Sequence, residues 1–543
     1  MVRVLGINAV FHDPAAALVV DGRTVAAAEE ERFSRRKHGK RPYPFSAWEL
    51  PEQAARWCLK AGGLEAKELD AVAYSFDPSL CVDASELGLD DPWDWLRVMY
   101  VQRAPEFLAT ALPGLDPASV VYVPHHAAHA ASAALAAPVE ADPGDCAVLV
   151  LDGRGERASH LSGVYDGGKL TVLAAQSLPH SLGLWYENVT EHLGFLRSCD
   201  EYKVMALASY GTPKHLDLFR ETVRVRDDGG FEVDPVDFAS LEGSDADLAA
   251  SVQKRLEEVI LDLSAWLYEA AGRPRSIALA GGVALNCVAN ARLARTGPWQ
   301  HVWVQPAAGD AGTALGAALH LTAVHGVKPE PMPGADLGRA FTDDELRAEL
   351  DRARLPHTRP VSIAEEAAEV LAGNGVVAWY QGRSEYGPRA LGRRSLLAHP
   401  GQAANTERLN DVKGREQFRP VAPMVLFDRA GQIFDGMLPS PYMLFVHEVR
   451  DGWRERIPAV VHVDGTARAQ TVDPGSDPLT AELLQAFERR TGLPVLVNTS
   501  LNTAGRPIVD SPADVLELFG SAPVDLLAIG PFAVHRNDFA RTS

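Results

Sequence analysis

The sequence predicts an α/β protein in two units, the first of them built by duplication. Three observations predict it. At 543 residues the chain is too long for one core, because single cores rarely grow past roughly 250–300 residues. A strand–turn–strand pattern occurs twice, first as VRVLGIN, FHDPA, AALVVDG and RTVAAAEEE, then as CAVLVLDG, RGERAS, HLSGVYDGG and KLTVLAAQ. Two copies of a strand pair joined by a polar turn imply paired α/β halves around a cleft. Finally, prolines and glycines cluster in HGVKPEPMPGADLG, residues 325–338, where the strand–helix rhythm lapses. The expected units are residues 1–335 and 342–543.

The first copy carries His12 and Asp13 in its polar turn, where Asp13 is expected to shape the turn. The run Glu29, Glu30 and Glu31 reads as a solvated strand or helix end. Next comes PHHAAHAASAAL, whose alanines predict a helix with His125 and His129 on one face. His126 points about 100° away from His125 and reads as a packing or supporting residue. Two imidazoles one turn apart suit a single divalent ion, and oxygen ligands would admit iron or manganese as well as zinc. The same spacing also serves packing in a core helix. Two carboxylates favour metal: Asp152 after the apolar run AVLVL, and Asp310 in the turn AAGDAGTALGAA.

The stretch SIALAGGVALNCVAN predicts a buried strand, a turn at Gly281 and Gly282, and a helix beginning near Asn286. Helix N-termini expose donors suited to phosphate or other polar ligand atoms. Actin-like phosphotransferases share this layout, with two hairpin turns at phosphates and a later Gly-Gly turn at adenosine, so the first unit is expected to be actin-like.

The second unit opens with Thr342-Asp343-Asp344-Glu345, the spacing of a capping box. Between Arg383 and Arg419 stand eight Lys or Arg against four Asp or Glu, a local balance of +4 in a chain of net charge −20. Glycine and proline interrupt any continuous helix there. Arg389, Arg393, Lys413, Arg415 and Arg419 are therefore expected to converge on a small anion, arginine as a planar fork and lysine as a compact charge. Arg468 in HVDGTARAQTV, and Ser500 and Asn502 after the apolar run of VLVNTSLN, are placed to line a pocket mouth.

The net charge of −20 argues against a general binder of nucleic acid or anionic membrane. Five scattered cysteines without a CxxC argue against a disulfide framework and a zinc ribbon. The first residues enter a strand-like run, and no apolar stretch approaches the roughly 20 residues that cross a bilayer. The expectation is a cytoplasmic soluble protein.

With these residues assembled, the chain resembles the O-carbamoyltransferases of the NodU/CmcH type. The resemblance rests on ordered motifs running nearly end to end: FHDPAAALVVDG, AEEERFSRRKHG, HHAAHAASA, DGRGE, GGVALN, GDAGTALGAA, GPRALGRRS, KGREQFRPVAP, DGTARAQTV and NTSLN. It implies a TsaD-like, actin-like (ASKHA) N-terminal domain and a YrdC-like α/β C-terminal domain. The reaction it implies has two steps: carbamoyl-adenylate is made from carbamoyl phosphate and ATP, and its carbamoyl group then passes to a hydroxyl of a small natural product such as an antibiotic. Carried over by position, His125, His129, Asp152 and Asp310 match the metal ligands, with Fe2+ the implied ion and Mg2+ accompanying ATP. His12 and Lys37 match residues near the transfer site, and His12 is a reasonable general base. Lys413, Arg415, Arg419, Arg468 and Ser500 match the carbamoyl phosphate and ATP region.

Two other classes compete. One is another user of carbamoyl-adenylate, of the HypF or tRNA-modifying type; HypF carries paired CxxC motifs and places its YrdC unit first, and this chain does neither. A catalytically silent nucleotide sensor would have no use for a full ligand set and a cationic pocket.

Overall fold

A computed structural model describes residues 1–39 and 49–540. The chain divides into two compact units, Met1–Ala335 and Asp336–Ser543.

The first unit contains the same five-stranded sheet twice. In the first copy β1 (Arg3–Asn8), β2 (Ala15–Val20) and β3 (Arg23–Glu29) form an antiparallel meander, and β4 (Ala71–Tyr74) and β5 (Val120–Tyr122) extend it in parallel beyond β1, giving the order β3-β2-β1-β4-β5. The second copy repeats this with β6 (Ala147–Leu151), β7 (Ala158–Asp166) and β8 (Lys169–Ser177). A separate hairpin, β9 (Val223–Val225) with β10 (Phe231–Val233), follows; β11 (Ser276–Ala280) and β12 (His301–Val304) then complete the order β12-β11-β6-β7-β8. Read from the meander outward the two orders are identical. This duplicated arrangement is the actin-like fold.

β1 and β6 are central and buried on both faces, so they read as apolar runs instead of alternating patterns. Their C-terminal ends deliver the turns that carry His12 and Asp152.

Two alanine-rich helices, His125–Ala134 and Ala311–Val324, cross against each other in the core of this unit. The crossing is close because a Cβ on Gly316 would lie 1.8 Å from the Ala128 carbonyl oxygen. One helix carries His125 and His129, and Asp310 stands at the start of the other. Gly316→Ala is therefore expected to force the helices apart, costing roughly 1–3 kcal/mol. A thermal melt of the purified variant checks this; an unchanged melting temperature would contradict it.

The acidic run does not behave as the sequence suggests. Glu29, Glu30 and Glu31 are buried, not solvated. Arg32 lies between Glu29 (3.5 Å) and Glu31 (2.5 Å). The Glu30 carboxylate accepts from the Ala54 and Gln53 amides at 2.8 and 3.3 Å, capping the helix Glu52–Gly62 from 24 and 23 residues away. Burial still pushes Glu30 up to about 7.

The second unit is built on a seven-stranded mixed sheet. Its strands are β13 (Val377–Tyr380), β14 (Arg394–Ala398), β15 (Ala422–Leu426), β19 (Gln470–Val472), β20 (Val495–Ser500), β21 (Leu526–Ile529) and β22 (Phe532–His535), in the order β19-β15-β20-β14-β13-β21-β22. Three short strands, β16 (Phe434–Asp435), β17 (His447–Val449) and β18 (Thr466–Ala467), form a separate antiparallel sheet. The capping box at Thr342 is present, with Thr342 and Glu345 satisfying each other's amides.

Among the described residues no helix is long and apolar enough to cross a membrane.

Candidate active site

His125, His129, Asp152 and Asp310 meet in the first unit, each offering a ligand atom within 4.8 Å of the others. His125 Nε2 lies 3.5 Å from Asp152 Oδ2 and 3.6 Å from Asp310 Oδ1; His129 Nε2 lies 3.8 and 3.5 Å from the same atoms. These distances are too long for good hydrogen bonds and leave room for an ion between the groups.

Neighbouring groups fix two of these four side chains, His125 and Asp152. The Ser75 carbonyl sits 3.1 Å from His125 Nδ1, so that nitrogen donates and Nε2 is the one turned to the two carboxylates. Asp152 Oδ1 accepts from the Gly282 amide at 2.9 Å, which leaves Oδ2 facing the histidines. Glu156 Oε1 accepts from the amides of His125 and Asp77, both at 2.8 Å, and so anchors the start of the histidine helix. Asp310 stands at the N-cap of Ala311–Val324, yet its side chain makes no capping bond.

The donor set fits a cation. His125 Nε2, both His129 ring nitrogens and both Asp310 carboxylate oxygens are buried without a hydrogen-bond partner. Each such atom costs on the order of 1–3 kcal/mol if left unmet, and one divalent ion can satisfy ligands from all three residues. Burial opposes charge on His125, but Asp152 and Asp310 outweigh it and hold the ring well above the usual histidine range. His126, by contrast, faces no carboxylate that overcomes burial, and it falls to about 3.

The turn between β1 and β2 reaches the same place. His12 Nε2 lies 3.8 Å from Asp310 Oδ2 and His12 Nδ1 lies 2.8 Å from Asp13 Oδ2. Lys37 is on a short 3-10 segment, Lys37–Gly39, with its ammonium 5.9 Å from the Tyr202 ring centroid. The Asp13 amide donates to the His38 carbonyl at 3.1 Å and lays that segment against the turn.

Gly281 and Gly282 form the turn after β11, and the helix Cys287–Thr296 follows with Asn286 as its N-cap. Gly281 has φ +88°, and a Cβ there would meet the Leu151 carbonyl at 2.1 Å. The Asn286 side chain accepts from the Ala289 amide and exchanges hydrogen bonds with Gln253. Its visible work is to cap the helix and to join a buried network that includes Tyr186.

In the second unit Lys413 is buried at the end of the helix Ala404–Lys413. Its ammonium donates to the Ser500 carbonyl, to Ser500 Oγ at 3.0 Å, and to Asn502 O and Oδ1 at 3.1 and 2.5 Å. Lys413, Ser500 and Asn502 are thus brought together at the end of β20. Arg389 and Arg468 are half-buried on two loops that Gln470 and Asn498 stitch to one another. Asn498 Nδ2 donates to the Ala390 carbonyl (3.1 Å) and Gln470 Oε1 (2.7 Å), and Gln470 Nε2 donates to the Leu391 carbonyl (2.9 Å). Arg415 bonds Asn410 at 2.6 Å, and Arg419 pairs with Glu416 at 3.4 Å.

Arg393 departs from expectation. It bridges Asp477 (3.2 Å) and Asp336 (3.3 Å), so its charge is spent on structure. Arg394 is buried against the Tyr380 ring and donates to backbone carbonyls, and Arg408 pairs with Asp525. The +4 balance therefore overstates what a ligand would meet. Glu385, which sequence reasoning passed over, accepts from the amides of Leu391, Arg393 and Arg394 and shapes the GPRALGRRS loop.

Comparison with known proteins follows the same division. A family model described as carbamoyltransferase N-terminus matches residues 3–114 and 109–319, and one described as carbamoyltransferase C-terminus matches residues 368–536. Nodulation protein NolNO of Sinorhizobium fredii is 38% identical over 97% of this chain and 80% of its own length. Nodulation protein U of the same organism is 32% identical over 95% of this chain and 96% of its own. Among solved structures, HypF of T. kodakarensis aligns with 60% of this chain and 48% of its own at 15% identity, with a TM-score of 0.39.

Proposed function

The chain belongs to the carbamoyltransferase family, and on that premise we propose that it is an ATP-dependent O-carbamoyltransferase acting on a hydroxylated small molecule. The observation that carries this reading is the closed set of His125, His129, Asp152 and Asp310, with buried ligand atoms that nothing else satisfies.

In the first step, in the C-terminal unit, which we take to be YrdC-like, one water releases phosphate from carbamoyl phosphate, and the carbamate oxygen left behind attacks the α-phosphorus of ATP, forming carbamoyl-adenylate as pyrophosphate departs. Carbamoyl phosphate is a small dianion that loses phosphate readily, so its site must supply cations and shield the carbamate formed from bulk water, admitting only the one water the step consumes. Lys413, Arg389, Arg415, Arg419 and Arg468 supply that charge, and Ser500 and Asn502 orient the bound groups.

In the second step the acceptor oxygen attacks the carbamoyl carbon in the actin-like unit. The bond to AMP breaks, and a carbamate ester forms. Gly281, Gly282 and the helix start at Asn286 sit where the nucleotide is gripped. His125, His129, Asp152 and Asp310 would hold a divalent ion, which would supply Lewis acidity for the transfer; Fe2+ is the assignment we favour, and two imidazoles with two carboxylates also suit manganese or zinc. His12 takes the acceptor's proton at Nε2, and Lys37 stands ready to meet negative charge on the phosphate side. The acceptor is a secondary metabolite with an exposed hydroxyl.

Pyrophosphate release from ATP is expected to depend on carbamoyl phosphate even without an acceptor. Release no greater than in an ATP-only control would overturn the first step.

A further inference from the structure

Resting on the reading that His12 takes the acceptor's proton, we infer that Asp13, backed by His38, is a positioning residue that fixes which His12 nitrogen carries hydrogen. The turn holding these residues is under constraint. Phe11 and Asp13 have φ of 56° and 50°, a left-handed conformation that aspartate tolerates but that a bulky phenylalanine adopts only where surrounding structure enforces it. The enforcement comes from the end of β1, where Asn8 Nδ2 donates to the His12 and Asp13 carbonyls at 3.0 and 2.9 Å.

Held this way, the turn sets His12 between two carboxylates. Nδ1 lies 2.8 Å from Asp13 Oδ2, and Nε2 lies 3.8 Å from Asp310 Oδ2. An ionised carboxylate only accepts, so Nδ1 carries the hydrogen and the lone pair of the neutral ring sits on Nε2, toward the metal ligands. A carboxylate on the adjacent residue could swing away from this duty. Asp13 does not, because its other oxygen is claimed by His38 Nδ1 at 2.6 Å.

His38 is itself fixed. Its amide donates to Glu31 Oε2 at 2.8 Å, its carbonyl accepts from the Asp13 amide, and Arg32 holds the second Glu31 oxygen. Burial would raise the Asp13 carboxyl, but His38 and His12 outweigh it and keep it well below the usual carboxylate range. The buried Glu29–Arg32 run thus anchors the strap that clamps the residue orienting His12.

Imidazole nitrogen NMR of isotope-labelled, zinc-loaded full chain reads the tautomer directly, with the His12 signals identified by their loss in His12→Ala. The wild type is expected to show His12 protonated on Nδ1 when neutral. In Asp13→Asn the amide oxygen stays with His38 and the NH2 turns to His12, so the hydrogen is expected to move to Nε2. His38→Gln, which loosens only the second clamp, is expected to show both forms. A wild-type His12 protonated on Nε2, or an Asp13→Asn spectrum unchanged at His12, would overturn the inference; if Asp13→Asn fails to retain zinc, the wild-type spectrum alone decides. His12→Ala that still carbamoylates an acceptor would instead remove the role proposed for His12, leaving the tautomer result intact.

Discussion

His129→Ala is expected to lose carbamoyl transfer by about 10²–10⁴-fold, the rate equivalent of several kcal/mol of lost Lewis-acid stabilisation, while forming carbamoyl-adenylate at the wild-type rate. The asymmetry follows from where His129 sits. Its Nε2 faces Asp152 and Asp310 in the first unit, within the ligand set, and it belongs to none of the groups around Lys413. Removing it leaves His125 and two carboxylates, one ligand short of the four that hold a divalent ion tightly. Metal content after dialysis should fall in parallel with transfer. Equal loss of both half-reactions would mean that the histidine serves folding. His129→Gln, which fills most of the same space, separates those outcomes.

Lys413→Ala is expected to do the reverse. The Lys413 ammonium donates to the carbonyl and side-chain oxygens of both Ser500 and Asn502. One substitution therefore removes a buried charge and unties the end of β20. Adenylation should drop about 10²–10³-fold, the scale of losing a preorganised electrostatic donor. Supplied carbamoyl-adenylate should still support transfer. Lys413→Arg should not restore adenylation, since a planar fork cannot reach four acceptors arranged around a point charge. If supplied intermediate fails to restore product in Lys413→Ala, the two steps do not divide between the units.

The parts legible in the sequence are those set by short-range pattern. The apolar runs of β1 and β6, the polar turns after them and the i, i+4 spacing of His125 and His129 are local statements, and the elements appear where those patterns stand. The start of the helix after Asn286 is legible for the same reason, because an asparagine side chain caps its own helix. The acidic run misleads because its partners are distant: Glu30 caps a helix at Gln53 and Ala54, and nothing within a few residues signals that. Arg393 misleads likewise, its partner Asp477 lying 84 residues on. The neighbours that hold His125 and Asp152, namely Ser75, Glu156 and the Gly282 amide, leave no mark in spacing at all. Asp13 is legible as a turn former, but its hold on His12 depends on His38, which only the folded strap brings near.

Isotope exchange between pyrophosphate and ATP, driven by carbamoyl phosphate and needing no acceptor, tests the central division most directly. The account predicts exchange in the wild type and in His129→Ala, and none above background in Lys413→Ala. Exchange lost from both variants alike, or retained by both, would contradict it.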